Sequence, residues 1–259
     1  MMNRAALVTG ASAGLGACFA DLLAKEGYDL VLVARNEEKL TELGRRLQSE
    51  HGISFEVLPA DLTIADDLLR VEERVKDSPK PIDVLINNAG FGIKRSFLAS
   101  DVSAEQGLLD VLAKTPMRLM HAALPSMKER NSGIIINVSS VAGWVAGGSY
   151  SAAKSYLTVL SESIHSELSR SNVNVLALCP GYTRTEFHAR GKMRMSGLPN
   201  FMWLKAENVV AKAWSDANAG KAVSVPGWQY AIFATFARSA PRPLIRKFGI
   251  NMKPKKRMK

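Results

Sequence analysis

The chain has 259 residues and a mass of 28.2 kDa, with 47% hydrophobic and 22% charged residues. That balance, with only Cys18 and Cys179 and each in an apolar stretch, excludes a collagen-like, disordered or disulfide-stapled chain. It predicts buried thiols in a reducing, cytoplasmic compartment. The formal charge of +10 is uneven: up to Asp216 acids and bases balance at 24 each, whereas the last 43 residues carry ten bases and no acid.

Almost wholly apolar runs alternate with amphipathic segments from the start. The run 5–8 opens into Thr9-Gly10-Ala11-Ser12-Ala13-Gly14-Leu15-Gly16, with a helix predicted over 15–26. Glycines let a backbone turn tightly against a ligand, and the free N–H groups of a starting helix favour a pyrophosphate. Thr9, Gly10, Ser12, Gly14, Leu15 and Gly16 are therefore candidate nucleotide contacts. A turn that only packs helix on strand is the competing reading; the alternation around it favours the nucleotide. The same glycines interrupt the apolar N-terminus, so no secretory leader is expected. The run 30–34 ends at Arg35-Asn36, ahead of a helix at 36–50. An acid at such a strand end accepts from a ribose diol. A guanidinium there pairs with a 2′-phosphate, so Arg35, helped by Asn36, favours NADP(H) over NAD(H).

Further runs lie at 54–58, 84–87, 133–138, 173–179 and 222–225, interleaved with helical segments at 64–76, 103–130 and 149–170. Strands apolar on both faces, alternating with helices, predict an α/β fold. The expectation is a single doubly wound domain around a parallel sheet of about seven strands. Asp61-Leu62 follows the third run, Asn87-Asn88-Ala89-Gly90 the fourth and Ser139-Ser140 the fifth. Tyr150 and Lys154 open the next helix and, at i and i+4, share one face. A free phenol near pKa 10 is a poor acid or base at neutral pH; a neighbouring ammonium lowers that value. Pro180-Gly181-Tyr182-Thr183-Arg184-Thr185 follows the sixth run. All these motifs stand at strand carboxyl ends, where doubly wound sheets bind ligands.

Together they resemble the short-chain dehydrogenase/reductase family in its single-domain, Rossmann-like form, over about residues 4–225. The matching positions are Thr9, Gly10, Gly14 and Gly16, the Asn87–Gly90 tetrapeptide, Ser140, Tyr150 with Lys154, and Pro180, Gly181 and Thr185. The resemblance implies that Tyr150 gives a proton to a carbonyl oxygen as hydride arrives from the nicotinamide, or takes one in the reverse direction. Lys154 would lower the Tyr150 pKa and hold the nicotinamide ribose, and Ser140 would bond the substrate oxygen. Asp61 would meet the adenine amino group, with Leu62 on the ring, although Asp61 equally suits a helix cap. Asn88, Ala89 and Gly90 would approach the ribose, and Pro180, Gly181, Thr183 and Thr185 the carboxamide. Ser139 is the rival to Ser140, because the Ser140–Tyr150 connection is short for the family. Many relatives hold a water with an Asn in the long helix before the catalytic strand; Leu112 stands here and cannot hold it. The expected protein is an NADP(H)-dependent oxidoreductase of an apolar carbonyl or alcohol, homo-oligomeric like many relatives. The alternative is an NADP(H)-binding sensor or scaffold with little catalysis.

The rest is less patterned. Residues 182–205 suit a flap over an apolar pocket, with Met193, Met195, Phe201, Met202 and Trp203 as lining or as a short packed helix. His51, His121, His165 and His188 lack metal-ligand spacing, so no metal site is expected. Residues 226–259 form a C-terminal extension, aromatic and then basic, expected to lose fixed structure beyond Gly249. Its charge-free stretch 222–237, broken by Pro226 and Gln229, is too short to span a bilayer. It is either solvated or in weak peripheral contact with anionic membrane through Trp228, Tyr230, Phe233 and Phe236. No motif supports a nucleic-acid partner.

Overall fold

The computed structural model describes residues 4–76, 80–93, 95–186 and 199–251. The first half builds β1 (Ala5–Thr9), α1 (Gly14–Lys25), β2 (Asp29–Ala34), α2 (Glu37–His51), β3 (Phe55–Pro59), α3 (Ala65–Lys76) and β4 (Ile82–Asn87). The second continues with α4 (Val102–Leu109), α5 (Thr115–Glu129), β5 (Gly133–Val138), α6 (Ser149–Glu167) and β6 (Val173–Leu178). After β6 come two short strands, β7 (Thr183–Arg184) and β8 (Leu204–Lys205). The chain then runs through α7 (Ala206–Asn218), β9 (Val223–Ser224), α8 (Trp228–Ser239) and α9 (Arg242–Asn251).

Seven strands form one parallel sheet in the order β3-β2-β1-β4-β5-β6-β9, and β7 pairs with β8 separately. The two-residue period of a strand sends alternate side chains to opposite faces. Ala6 and Val8 of β1 join Phe19 and Leu23 of α1, Leu40 of α2 and Val209 of α7 in one core. Ala5 and Leu7 join Val71 of α3, Leu119 and Met120 of α5 and Leu157 of α6 in the other. The chain order reverses direction across the sheet between β1 and β4, so the carboxyl ends of these strands flank a crevice.

The predicted strands and the doubly wound fold agree with this sheet. The helix predicted over 103–130 is broken, because Asp110–Lys114 form a π-turn between α4 and α5. Pro116 has no N–H to give to the Leu112 carbonyl four residues back, which removes one α-helical bond at that point. α7 is an addition to the predicted elements; Val209, Val210, Ala213 and Ala217, buried at helical spacing, are the signal for it. α9 carries the backbone to Asn251, past the predicted end of order, and residues 252–259 lie outside the described residues. His188, Met193 and Met195 also lie outside them. One expectation about the extension is corrected. Tyr230 is 3% exposed, because Tyr230, Ala234 and Ala237 form the inner face of α8. Phe233 is half-buried, and the outer stripe is Trp228, Ile232 and Phe236. No described helix is long and apolar enough to cross a membrane.

Candidate active site

The first strand-helix turn is built for close approach. Gly10 and Gly14 hold φ of +66° and +59°, which side chains with a Cβ rarely adopt. A Cβ on Gly16 would lie 2.2 Å from the Gly10 carbonyl oxygen and 2.5 Å from Asn88 Nδ2. The N-terminus of α1 has no side-chain cap and no acid in its first turn. Uncapped N–H groups beside a glycine-only backbone fit a dinucleotide pyrophosphate. Thr9 stabilises this turn from behind. Its hydroxyl donates to Ile86 O at 3.2 Å and accepts from Asn88 N and Ala89 N at 2.9 and 3.1 Å, so the side chain is fully used inside the protein. Asn88 Nδ2 in turn donates to the carbonyls of Thr9 and Gly10 at 2.9 and 3.2 Å. Thr9 and Asn88 thus shape the turn.

Arg35 stands at the end of β2 with its side chain 80% exposed, 3.8 Å from the Asp61 carboxylate. Neighbouring Asn36 caps α2 by accepting from Lys39 N at 2.8 Å. Asp61 accepts from the backbone and hydroxyl of Thr63 at 3.0 and 2.7 Å, closing a turn ahead of α3, which starts only at Ala65, instead of capping the helix itself. Leu62 is 6% exposed and packs into the α3 side of the core. Ser12, Leu15, Ala89 and Gly90 border the same crevice end of the sheet, by position at the carboxyl ends of β1 and β4. An exposed guanidinium on this rim, only loosely paired with Asp61, fits a 2′-phosphate.

Across the crevice, Ser139 and Ser140 diverge. Ser139 Oγ turns inward, 2.7 Å from the Lys154 carbonyl and 2.7 Å from Thr158 Oγ1. Ser140 Oγ accepts from Ala142 N at 3.1 Å, capping the turn Val141–Trp144, and bonds the Tyr150 hydroxyl. Beside the bond it accepts from Ala142, Ser140 keeps its own hydrogen to give to the phenol oxygen, a donation that favours the tyrosinate. Burial pushes the Tyr150 phenol up to about 12, and the bond from Ser140 opposes that rise. Lys154 is 4% exposed, and its ammonium donates to Val138 O at 2.5 Å and lies 5.8 Å from the Tyr150 ring centroid. Burial brings the Lys154 amine down to about 8. The structure therefore brings Ser140, Tyr150 and Lys154 to one place and leaves Ser139 in the core.

Leu112 sits in the π-turn, 1% exposed, with its Cδ2 2.8 Å from where a Gly90 Cβ would be. Leu112 and Lys154 both line a small cavity of about 10 Å³, together with Thr9, Asn87, Thr115 and Val138. A side-chain chain fixes what Asn87 presents there. Ser161 Oγ donates to Leu157 O, so it accepts from Asn137 Nδ2 at 2.8 Å. Asn137 Oδ1 then accepts from Asn87 Nδ2 at 2.8 Å. Asn87 Oδ1 is left as a buried acceptor without a partner among the described residues. Asn137 and Ser161 were not singled out from the sequence, and a polar residue inside an apolar strand is the signal for the first.

The turn after β6 closes the site. Pro180 O accepts from Val141 N at 3.2 Å, beside Ser140, and Thr183 Oγ1 donates to Gly181 O at 3.1 Å. Thr185 reaches the glycine turn, its Cβ 3.3 Å from where a Gly14 Cβ would be. Tyr182 and Trp203, each just ahead of one strand of the β7–β8 pair, have ring centroids 5.9 Å apart. Tyr230 of α8 meets this turn, a contact the sequence did not suggest. Among the described residues no cluster of His, Cys, Asp and Glu is arranged to hold a metal.

The profile of the short chain dehydrogenase family matches residues 4–194. An uncharacterized oxidoreductase of Staphylococcus saprophyticus is 32% identical over 188 residues, 71% of this chain and 80% of that protein. Ketoacyl reductase HetN of Nostoc is 36% identical over 185 residues, 70% of this chain and 64% of that protein. Among solved structures, a short-chain dehydrogenase from Sphingobium yanoikuyae in complex with NADPH superposes with a TM-score of 0.84 at 31% identity. That match covers 99% of this chain and 98% of that one. The bulky-bulky ketone specific alcohol dehydrogenase from Comamonas testosteroni superposes at 0.81 with 28% identity, over 99% and 96% of the two chains. A family profile running from β1 past β7, and a relative that shares the fold over nearly the whole length, leave one assignment: the chain belongs to the short-chain dehydrogenases, a family of oxidoreductases.

Proposed function

We propose that the protein is an NADP(H)-dependent oxidoreductase that interconverts a carbonyl and an alcohol on an apolar small molecule or acyl chain. The carrying observation is the hydrogen bond between Ser140 and Tyr150 with the buried Lys154 ammonium beside them. Bound NADPH would supply the hydride for reduction, and NADP would take it up in oxidation. Tyr150 protonates the carbonyl oxygen, or as tyrosinate removes the alcohol proton. Ser140 holds that oxygen, and Lys154 favours the tyrosinate by its charge and holds the nicotinamide ribose. Pro180, Gly181, Thr183 and Thr185 hold the carboxamide; Asp61 and Leu62 frame the adenine. Tyr182 and Trp203 beside the turn after β6, and Trp144 in the turn that Ser140 caps, are the aromatic side chains for such a substrate, in keeping with the bulky ketone named for the Comamonas relative. The named NADPH complex supports the cofactor.

The test is a screen of bulky ketones, aldehydes and acyl ketones with NADPH, followed by absorbance. Tight NADPH binding with no oxidation by any substrate would favour the sensor alternative, for which Leu112 at the usual Asn position is the only support. Arg35 is open to a separate check. Arg35→Asp removes the cation for the 2′-phosphate and sets an acid near the ribose diol. NADPH affinity is expected to fall by about 30-fold and NADH affinity to rise, read by fluorescence titration. An unchanged NADPH/NADH ratio refutes that role.

Exposed Leu109, Tyr156 and Val159 on α4 and α6 suit self-association. On the C-terminal extension, Trp228, Ile232 and Phe236 stand exposed beside Arg242 and Arg246 on a segment without acids. This supports weak contact with anionic lipid. The full chain should float with phosphatidylserine vesicles at low salt and dissociate as salt rises. Equal flotation by a chain ending at Gly249 removes the basic tail from that account.

A further inference from the structure

We propose that Tyr230, on the C-terminal helix α8, is a positioning residue for the nicotinamide end of the cofactor site. The inference rests on the reading that the turn 180–185 holds the carboxamide. Tyr230 lies outside the part of the chain that matches the family profile, 4–194.

Three contacts converge on this side chain. Its ring lies flat against the Gly181 backbone: a Cβ on Gly181 would stand 2.0 Å from Tyr230 Cζ. Its hydroxyl accepts from Tyr182 N at 3.0 Å and donates to Met202 O at 2.6 Å. One phenol thereby satisfies a donor on the cofactor turn and an acceptor on the strand-forming segment that pairs with it. Next to it, Gln229 Nε2 donates to Phe201 O at 3.0 Å. Tyr230 is 3% exposed, so both hydroxyl bonds are shielded from water, where a lost partner is expensive.

The turn itself is suspended between two fixed points. On one side Pro180 O is bonded to Val141 N, next to Ser140. On the other, Gly181 and Tyr182 rest on Tyr230. From there the chain runs to Thr185 against Gly14. A shift at Tyr182 therefore moves the carboxamide-binding backbone relative to both Ser140 and the glycine turn. The adenosine end of the site, at Arg35 and Asp61, lies at the end of β2 and in the β3–α3 connection and, among the described residues, has no such link to α8.

The test separates the two ends of the cofactor. In Tyr230→Phe the ring stays on Gly181 and only the hydroxyl is removed. NADPH should bind about tenfold more weakly, while 2′,5′-ADP, which lacks the nicotinamide half, binds as to wild type. Tyr230→Leu also removes the ring and should weaken NADPH further with the same split. Unchanged binding of both ligands overturns the proposal, and so does an equal loss for both, which marks general destabilisation. If wild type binds 2′,5′-ADP and not NADPH, the assignment of the turn 180–185 fails and this inference falls with it. Should the variants not fold, hydrogen exchange on the full wild-type chain reads the same link. NADPH is expected to slow exchange in α8 around Tyr230 and 2′,5′-ADP to leave it unchanged; equal protection by both ligands, or by neither, overturns the proposal.

Discussion

Tyr150→Phe is expected to lower turnover about a thousandfold in both directions, with NADPH binding within about twofold of wild type. The change removes one oxygen and keeps the ring, so the helix α6 packing is retained. The lost oxygen is bonded to Ser140, on the opposite side of the crevice from the glycine cradle. Ser140 remains able to bond a carbonyl oxygen but has no means to deliver a proton at neutral pH, since its oxygen is held by Ala142 N–H and its hydroxyl is a far weaker acid than a phenol beside a cation. Water could replace the acid only poorly in a site this buried, which sets the size of the loss. Steady-state turnover on the best substrate of the screen, paired with a fluorescence titration of NADPH, checks it. A variant keeping a tenth of the wild-type rate would remove Tyr150 from the proton transfer and return the question to Ser140 and Lys154.

The same residues show how far a sequence carries this kind of inference. The sheet was legible because its inner strands are buried on both faces, which imposes unbroken apolar runs such as Leu30–Val33 and Ile134–Ile136. The glycine turn was legible because a positive φ and a close approach leave no alternative to glycine. What a spacing rule could not supply was direction. Ser139 and Ser140 are chemically identical and adjacent, and only the strand's alternation decides that one meets the α6 backbone and the other Tyr150. Tyr230 illustrates the opposite failure. Its composition placed it with Trp228 and Phe236 as interfacial aromatics, but helical periodicity in α8 puts it on the inner face. The π-turn at Leu112 depends on one missing N–H at Pro116, a local effect that a period of 3.6 residues averages away.

Lys154→Met should also lose about a hundredfold in alcohol oxidation at pH values below the rising limb, yet yield a protein that is no less stable at neutral pH. The two results have one cause. In the folded chain burial holds the Lys154 amine down at about 8, below its value near 10.4 in an unfolded chain. Between those values the unfolded state binds the extra proton, so stability rises with pH from about 8 to 10, and the full cost of the buried cation is present below 8. That cost is about 3 kcal/mol from the shift; losing the bond to Val138 O returns about 1–2 kcal/mol of it. The net expectation is a variant more stable by about 1–2 kcal/mol at pH 7, a rise of a few degrees in Tm, with the advantage fading from about pH 8 and gone by about pH 10. Catalysis moves the other way. A cation about 6 Å from the centre of the phenol ring, in surroundings of effective dielectric near 20, would be worth about 3 kcal/mol, or about two pKa units, to the tyrosinate. Tyrosinate is the form that oxidises an alcohol, so without Lys154 the rising limb of the oxidation rate should move up by about two pH units. The two groups titrate as a pair, so the limb reports the couple and not Tyr150 alone. Thermal melts and pH–rate profiles on the two proteins measure both halves. A variant that lost activity with an unmoved limb and a lower Tm would show Lys154 to be a packing residue, whose charge is irrelevant to the phenol.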